Sequence, residues 1–337
     1  MKLYDDHGYL NIDEIAAHKS WLKVIIGARQ VGKTYGVLKY HLDHDISHIL
    51  LRRTREEVDM ISASPELNPY KVFEPEYRTG IFKTGKYNRI CDYNEDGSQE
   101  KVRGLLLGLS QIAHIRGFNG REYQSIVYDE AIPEKGVIQR STEGDSLLNA
   151  YTTINGNREL EGEPPCTLWL LGNSNDLSSP VLEALNLMDP IIKARTKKLE
   201  WIESGGALIV QPFSRIITDQ RRDTALMQQI RADGDFYQMA IENEFSYDAS
   251  PLINNRSVKF MTPLFSYDGF MYAWEDDRSI YICRTPHKNN AYEGAAWDRQ
   301  QIVAHYLWLK RYYMEGLITF SDARLLTTFR QLFDIKY

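Results

Sequence analysis

Eight consecutive residues, Gly27-Ala28-Arg29-Gln30-Val31-Gly32-Lys33-Thr34, have the types and spacing of a phosphate-binding loop. Gly27 and Gly32 allow the backbone to curl so that the N–H groups of the loop face phosphate oxygens. Lys33 is placed to bridge the β- and γ-phosphates of ATP, and Thr34 to bind Mg²⁺ through its hydroxyl. A helix starting at Thr34 adds the positive end of its dipole. Arg29 is unusual inside such a loop and is a candidate for a phosphate or partner-subunit contact.

Hydrolysis needs a carboxylate for the metal and a group that orients water. Ser125-Ile126-Val127-Tyr128-Asp129-Glu130 offers both. Four residues bury a strand, Asp129 emerges at its tip beside the metal position, and Glu130 polarises the attacking water. Asn173 ends a further apolar run, Thr167 to Leu171 plus Gly172, where a polar side chain can contact the γ-phosphate and report its loss. The same Gly-Asn-Ser-Asn stretch is also good turn chemistry. Arg158, in Asn157-Arg158-Glu159, is a candidate for stabilising charge at a neighbouring subunit's γ-phosphate.

These residues need a scaffold that delivers several strand tips to one edge. Trp21 to Ile26, Ser47 to Leu51, Gln124 to Tyr128 and Thr167 to Leu171 each read as buried strands followed by polar residues. That is the pattern of a parallel α/β sheet, in which ligands lie beyond the carboxyl ends of the strands. Thr34 to Leu42 and Arg55 to Ile61 read as helices. Tyr87 to Tyr93 and Lys101 to Leu109 read as strands joined by a turn at Asp96-Gly97. Residues 219 to 247 read as polar and largely helical, with Gly234 as a break. Strands are then expected over Met261–Tyr267, Gly269–Trp274 and Ser279–Arg284, with a turn at Asp276-Asp277. One helix carries Ile302, Tyr306, Leu309 and Tyr313 on a single face. Ser321 is the expected N-cap of a final helix bearing Leu325, Phe329 and Leu332.

Length and composition bound the reading. The 337 residues suggest about two domains, and a hydrophobic fraction of 43% is ordinary for a folded chain. The first residues lack the apolar core of a signal peptide and no apolar run is long enough to span a bilayer, so a cytosolic protein without a membrane partner is expected. Cys91, Cys166 and Cys283 are odd in number and far apart, which argues against a disulfide framework or a zinc site. The net charge of −6 argues against a permanently DNA-coated surface, so contact with nucleic acid should be local. Candidate patches are Arg52-Arg53-Thr54-Arg55, Lys193 to Lys198 and Arg221-Arg222; each also reads as an ordinary solvated face.

Taken in order, GARQVGKT, LLRRTREE, SIVYDEA, NGNRE and LWLLGNSNDLSSP resemble the DNA-packaging ATPases of phi-29-type tailed phages, within the wider phage terminase family. The resemblance extends over most of the chain and is weak in residues 62 to 103. It implies an ASCE P-loop NTPase domain over residues 1–212, with a parallel sheet flanked by helices. A helical linker over 213–248 and a small α+β vestigial RNase H-like, DNA-contacting domain over 249–337 follow. Tyr267-Asp268-Gly269-Phe270, Trp274, Tyr281 and Thr285-Pro286-His287 carry the likeness in that last part. It further implies ATP and Mg²⁺, double-stranded DNA, the phage portal and prohead as partners, and self-assembly into a ring, typically a homopentamer, in the host cytoplasm. A structural packaging RNA is a further candidate partner. By the same likeness Lys33 and Thr34 occupy Walker A positions, and Asp129 and Glu130 Walker B. Arg158 takes the place of the trans-acting arginine and Asn173 that of the coupling residue. Arg55 falls where a basic residue approaches the neighbour's nucleotide. Arg116 and Arg121 are candidates for DNA contact.

Ser110 with Arg116-Gly117 also resembles large terminases, which carry an active nuclease. Such a site needs clustered carboxylates to hold two metal ions. Asp248, Asp268, Asp276, Asp277 and Asp298 do not make a convincing set, so a translocase without nuclease activity is expected. The alternatives are a nuclease-bearing terminase and a nucleotide-binding assembly switch that does not turn over.

Overall fold

The computed structural model describes residues 1–85, 87–112, 120–132, 142–173, 179–230, 237, 252, 256–284 and 292–335. The chain divides into two compact units, Met1–Ser246 and Tyr247–Tyr337.

In the first unit, nine strands form one sheet among the described residues. They are β1 (Leu22–Gly27), β2 (His48–Arg52), β3 (Thr79–Thr84), β4 (Tyr87–Tyr93), β5 (Gln99–Gly108), β6 (Ser125–Tyr128), β7 (Thr167–Asn173), β8 (Trp201–Ser204) and β9 (Ala207–Val210). Their spatial order is β3-β4-β5-β2-β6-β7-β1-β9-β8. The run from β5 to β9 is parallel throughout, while β3, β4 and β8 add antiparallel strands at the two edges. β1, β6 and β9 are buried at every residue, as strands covered on both faces must be.

Register decides where the chemistry collects. Gly27 at the end of β1 pairs with Asn173 at the end of β7, and Tyr128 of β6 lies between Leu51 of β2 and Leu170 of β7. The glycine loop, Asp129-Glu130, Asn173 and Arg52 therefore share the carboxyl edge of the sheet. β7 separates the loop-bearing strand from the one ending in Asp129, in keeping with the expected ASCE arrangement.

The amino edge of the same sheet holds a buried polar chain. His41 and His48 stack with ring centroids 4.7 Å apart. Their Nδ1 atoms face the carbonyls of Val37 and Ile46 at 2.7 and 3.1 Å, so each Nδ1 carries the proton. That leaves Nε2 to accept from Ser125 Oγ at 2.8 Å in His41 and from Tyr70 OH at 2.6 Å in His48. Both rings are held neutral. Burial is the main cause, pushing His48 down to about 4 and His41 well below the usual range.

Several boundaries differ from expectation. The helix after the loop runs over Lys33–Asp43, one residue earlier, because Gly32 in the left-handed region (φ 84°) ends the loop. β3, β8 and β9 were absent from the sequence reading. The expected linker over 213–248 does not stand apart from the sheet in its first part. The helix Arg215–Arg222 packs Ile217 into the main core, and its N-cap Ser214 accepts from Ile217 N at 3.4 Å. Gly234 lies outside the described residues.

The second unit is α+β, with sheet order β13-β10-β11-β12-β14: β10 (Thr262–Tyr267), β11 (Met271–Glu275), β12 (Ile280–Cys283), β13 (Ala295–Ala296) and β14 (Ile318–Phe320). β10, β11 and β12 form an antiparallel meander, and β13 and β14 add in parallel at its edges. The Asp276 turn is as expected: its Oδ1 accepts from the backbone N–H of Arg278 and Ser279 at 2.9 and 2.8 Å. The single helix expected through Tyr313 is two, Arg299–His305 and Leu309–Met314, with the chain leaving helical geometry at Tyr306. The last helix, Ala323–Leu332, is capped by Asp322 rather than Ser321, because the Asp322 carboxylate accepts from Leu325 N at 3.1 Å.

Candidate active site

Close packing explains the first loop glycine. A Cβ on Gly27 would lie 2.6 Å from Cδ of Pro212, so a side chain there would displace the segment after β9. Gln30 (φ 64°) and Gly32 (φ 84°) both take left-handed backbone, which curls the loop onto the start of the next helix. The strain at Gln30 is the kind retained where a loop is shaped for a ligand.

Lys33 is buried, and its ammonium points back along the loop. Nζ donates to Gly27 O at 3.1 Å, Ala28 O at 2.6 Å and Asn173 Oδ1 at 3.1 Å. Burial pushes the ammonium down to about 8. Asp129 opposes that shift, and the charges of Arg29 and Arg221 add to it. Thr34 Oγ1 donates to Asp129 Oδ1 at 2.8 Å. A hydroxyl and a carboxylate in contact at the mouth of the loop are hard oxygen donors, which suits Mg²⁺ bound by few protein ligands plus phosphate.

Sequence reasoning placed Arg52 only in a basic patch. In the structure Arg52 ends β2 beside β6, and its Nη1 lies 3.0 Å from Asp129 Oδ2 and 3.3 Å from Glu130 Oε2. Asp129 is buried, whereas the Glu130 side chain is 64% exposed. Glu130 sits at φ 54°, so the chain turns sharply just after the metal-side carboxylate. The sequence shows only that two apolar strands end in charges of opposite sign; their adjacency comes from the strand order of the folded sheet.

The rest of that patch does not form one exposed basic surface. Arg53 is buried and holds Glu143 with two bonds, Nη2 to Oε1 at 2.9 Å and Nε to Oε2 at 3.3 Å. Arg55 is the outward member, 71% exposed at the start of the helix Arg55–Ala63, with Asp59 at 3.4 Å.

Two of the expected arginines have partners within the chain itself. The Arg158 guanidinium, expected to act across a subunit interface, is turned inward here. It is buried at the opposite edge of the sheet, where Nη2 donates to the carbonyls of Arg121 and Tyr123 at 2.5 and 3.0 Å just before β6. Reaching a neighbouring subunit would require breaking both bonds and exposing those carbonyls. Arg121, the expected DNA contact, is half-exposed but bonded to Glu161 and to Glu163, the latter at 2.9 Å, so two carboxylates offset its charge. Arg116 lies outside the described residues, as do Thr285-Pro286-His287 and Asp248.

The carboxyl edge thus assembles the loop, Lys33, Thr34, Asp129, Glu130 and Asn173 into one site, with Arg52 added. The backbone donors of Ala28, Arg29, Gln30 and Val31 belong to the same loop.

The podovirus DNA encapsidation protein (Gp16) family matches residues 4–293. A DNA packaging protein of Bacillus phage B103 is 29% identical over 313 residues, covering 88% of each chain. That of Bacillus phage phi29 is 27% identical over 277 residues, covering 80% of this chain and 76% of the relative. Among solved structures, the bacteriophage Phi-29 viral genome packaging motor assembly aligns with a TM-score of 0.60 at 20% identity, over 96% of this chain and 99% of that one. The Phi-28 gp11 DNA packaging motor aligns at 0.57 and 15% identity, over 98% and 100%. At these identities the structural likeness establishes the fold. With the family match spanning most of its length, this chain belongs to the podovirus DNA encapsidation protein family.

Proposed function

We propose that this chain hydrolyses ATP to drive double-stranded viral DNA into a preformed capsid. It would work as a homopentameric ring docked at the prohead portal vertex in the host cytoplasm and be absent from the mature virion. The observation that carries the reading is the convergence of Lys33, Thr34, Asp129, Glu130 and Asn173 on one sheet edge of an encapsidation-family chain.

Lys33 moves from its loop carbonyls and Asn173 onto the β- and γ-phosphate oxygens, where its positive charge offsets that of the triphosphate. Thr34 and Asp129 would hold Mg²⁺, which when bound supplies charge stabilisation to the phosphates. Glu130 leaves Arg52, orients a water in line with the γ-phosphorus and accepts its proton. The new P–O bond forms as the bond to the β-phosphate oxygen breaks, giving ADP and phosphate. Asn173, released from Lys33 while phosphate is present, regains it when phosphate departs. Arg158 and Arg55 are the candidate cations for the neighbouring subunit's site: Arg55 is exposed and three residues from Arg52, so it reaches outward without losing a backbone bond, whereas Arg158 would have to leave its two carbonyls.

The second unit is proposed to contact DNA without cutting it. Two of its described carboxylates have structural duties: Asp276 shapes a turn and pairs with Arg256 at 2.5 Å, and Asp298 closes a capping box on Gln301. Domain limits of 1–212, 213–248 and 249–337 remain our functional division, and a packaging RNA is a partner to be tested by ring assembly with and without it.

ATPase rate against protein concentration, with and without DNA, tests the proposal. Turnover should rise with both concentration and DNA. Nucleotide binding without DNA-dependent turnover would favour an assembly switch. DNA cleavage with Mn²⁺ that is lost on changing Asp268 would favour a nuclease-bearing terminase.

A further inference from the structure

The helix Arg215–Arg222 is the first helix after the last strand of the sheet, and one of its arginines faces the phosphate loop. Arg221 is half-buried, and its Nη1 donates to the backbone carbonyl of Arg29 at 3.2 Å. The helix cannot easily turn away, because Ile217 is packed in the main core and Ser214 caps it.

Three cations meet at the loop: Lys33, Arg29 and Arg221. Arg29 and Arg221 both weaken proton binding at Lys33, and after burial Arg29 is the next cause lowering Arg221. Asp129 is a counter-charge for Lys33, and Arg52 already pairs with Asp129. Such a gathering of like charge beside a phosphate cradle is stabilised by a bound polyanion.

The position within the loop identifies which phosphate. The residues from Gly32 to Thr34 open the helix whose N–H groups take the β-phosphate. Lys33 Nζ lies at the other half, against Gly27 and Ala28 and beside Asn173. Arg221 is anchored in that same half, on Arg29. We propose that Arg221 binds the terminal phosphate of ATP within its own subunit, and that the helix Arg215–Arg222 thereby distinguishes triphosphate from diphosphate. This rests on the ATPase reading above and adds to it a route from the nucleotide to the segment that leaves the sheet.

The test uses the full chain with Mg²⁺ and either ATPγS or ADP. Arg221→Ala should weaken ATPγS roughly tenfold or more, the loss of a charge-assisted bond, and leave ADP within about twofold. Arg221→Lys should recover part of the difference. Arg222→Ala is the control, because its guanidinium pairs with Asp219 at 3.1 Å; it should change neither affinity. In hydrogen exchange, ATPγS should protect residues 215–222 more than ADP does, and Arg221→Ala should abolish that difference. Equal loss for both nucleotides, or none for either, would overturn the assignment and leave Arg221 a support for loop shape. Failure of the unaltered chain to bind either nucleotide would instead overturn the ATPase reading.

Discussion

Lys33, at the start of the helix after the loop, is joined to Asn173 at the end of β7, Nζ to Oδ1 at 3.1 Å, with Gly27 and Asn173 in direct register. On the proposed mechanism the loop lysine gives up this bond to serve the phosphates, so Asn173 would sense whether Lys33 is engaged. Asn173→Ala should therefore lower kcat by roughly 10²-fold, as for other single polar groups that act on developing charge, with ATP affinity changed only a few-fold. Asn173→Asp should weaken ATP binding as well, because a carboxylate would compete with phosphate for the ammonium. Equilibrium binding and single-turnover hydrolysis separate the two effects. Unchanged kcat in Asn173→Ala would show that the contact is incidental.

Arg52 spans Asp129 and Glu130 with one nitrogen. Glu130→Gln should keep ATP affinity within a few-fold and lose at least about 10²-fold in hydrolysis, since an amide cannot accept the proton from water. Arg52→Ala should cost stability as well as rate. It strips the buried Asp129 of an ionic partner, a loss of roughly 2–3 kcal/mol in chemical denaturation. Normal turnover by Glu130→Gln would remove Glu130 from the mechanism.

Much of this site was legible because each strand bearing it is a short apolar run ending in the functional residue, so strand and chemistry signalled together. What escaped was what depends on neighbours. Arg52, Arg53 and Arg55 look alike in sequence, yet one meets Asp129 and Glu130, one is buried on Glu143 and one is exposed. Strand order, which no local pattern encodes, assigns the first. Arg158 depends on its neighbours in the same way: its sequence context resembles a finger, and in the single chain the fold sets its guanidinium on two backbone carbonyls. Arg221 lies far along the chain from the loop it touches. β8 and β9 are four residues each, too short to register as periodic, although Gly205 and Gly206, both at positive φ, marked the hairpin between them.

The two buried histidines make stability sensitive to mild acid. His48 is held at about 4 against an ordinary 6.5, and His41 is also depressed. The unfolded chain therefore takes up protons that the folded chain refuses. The stabilisation is complete above the unfolded pKa, near 6.5, and is lost as pH falls from there towards the folded value. For His48 alone the loss amounts to roughly 3 kcal/mol by pH 4. Between pH 6.5 and 5, above the carboxylate range, denaturation midpoints should drop steadily. A His41→Asn/His48→Asn chain should be less stable at pH 7.5 but show a shallower decline. An equally steep decline in that variant would place the titrating groups elsewhere.

The arginines also differ in what their loss should do to a ring. Arg158→Ala should destabilise the subunit by about 2–3 kcal/mol, because it abandons two buried carbonyls, and its hydrolysis should fall with its folding. Arg55→Ala should fold normally, since the exposed side chain pairs, among the described residues, with Asp59 on its own helix, and should fail at the neighbour's site. Mixing is the decisive measurement. A Glu130→Gln subunit cannot hydrolyse its own ATP but still presents Arg55. An Arg55→Ala subunit has an intact site and cannot help its neighbour. Activity should return where the first kind donates Arg55 to the second, and a trans arginine worth ~10³-fold makes even a minority of repaired interfaces visible. The same mixture with Arg158→Ala should recover little, because that defect lies within the subunit. Restored activity with Arg158→Ala but not with Arg55→Ala, in subunits shown to co-assemble, would mean that Arg158 leaves its carbonyls on assembly and acts as the trans arginine.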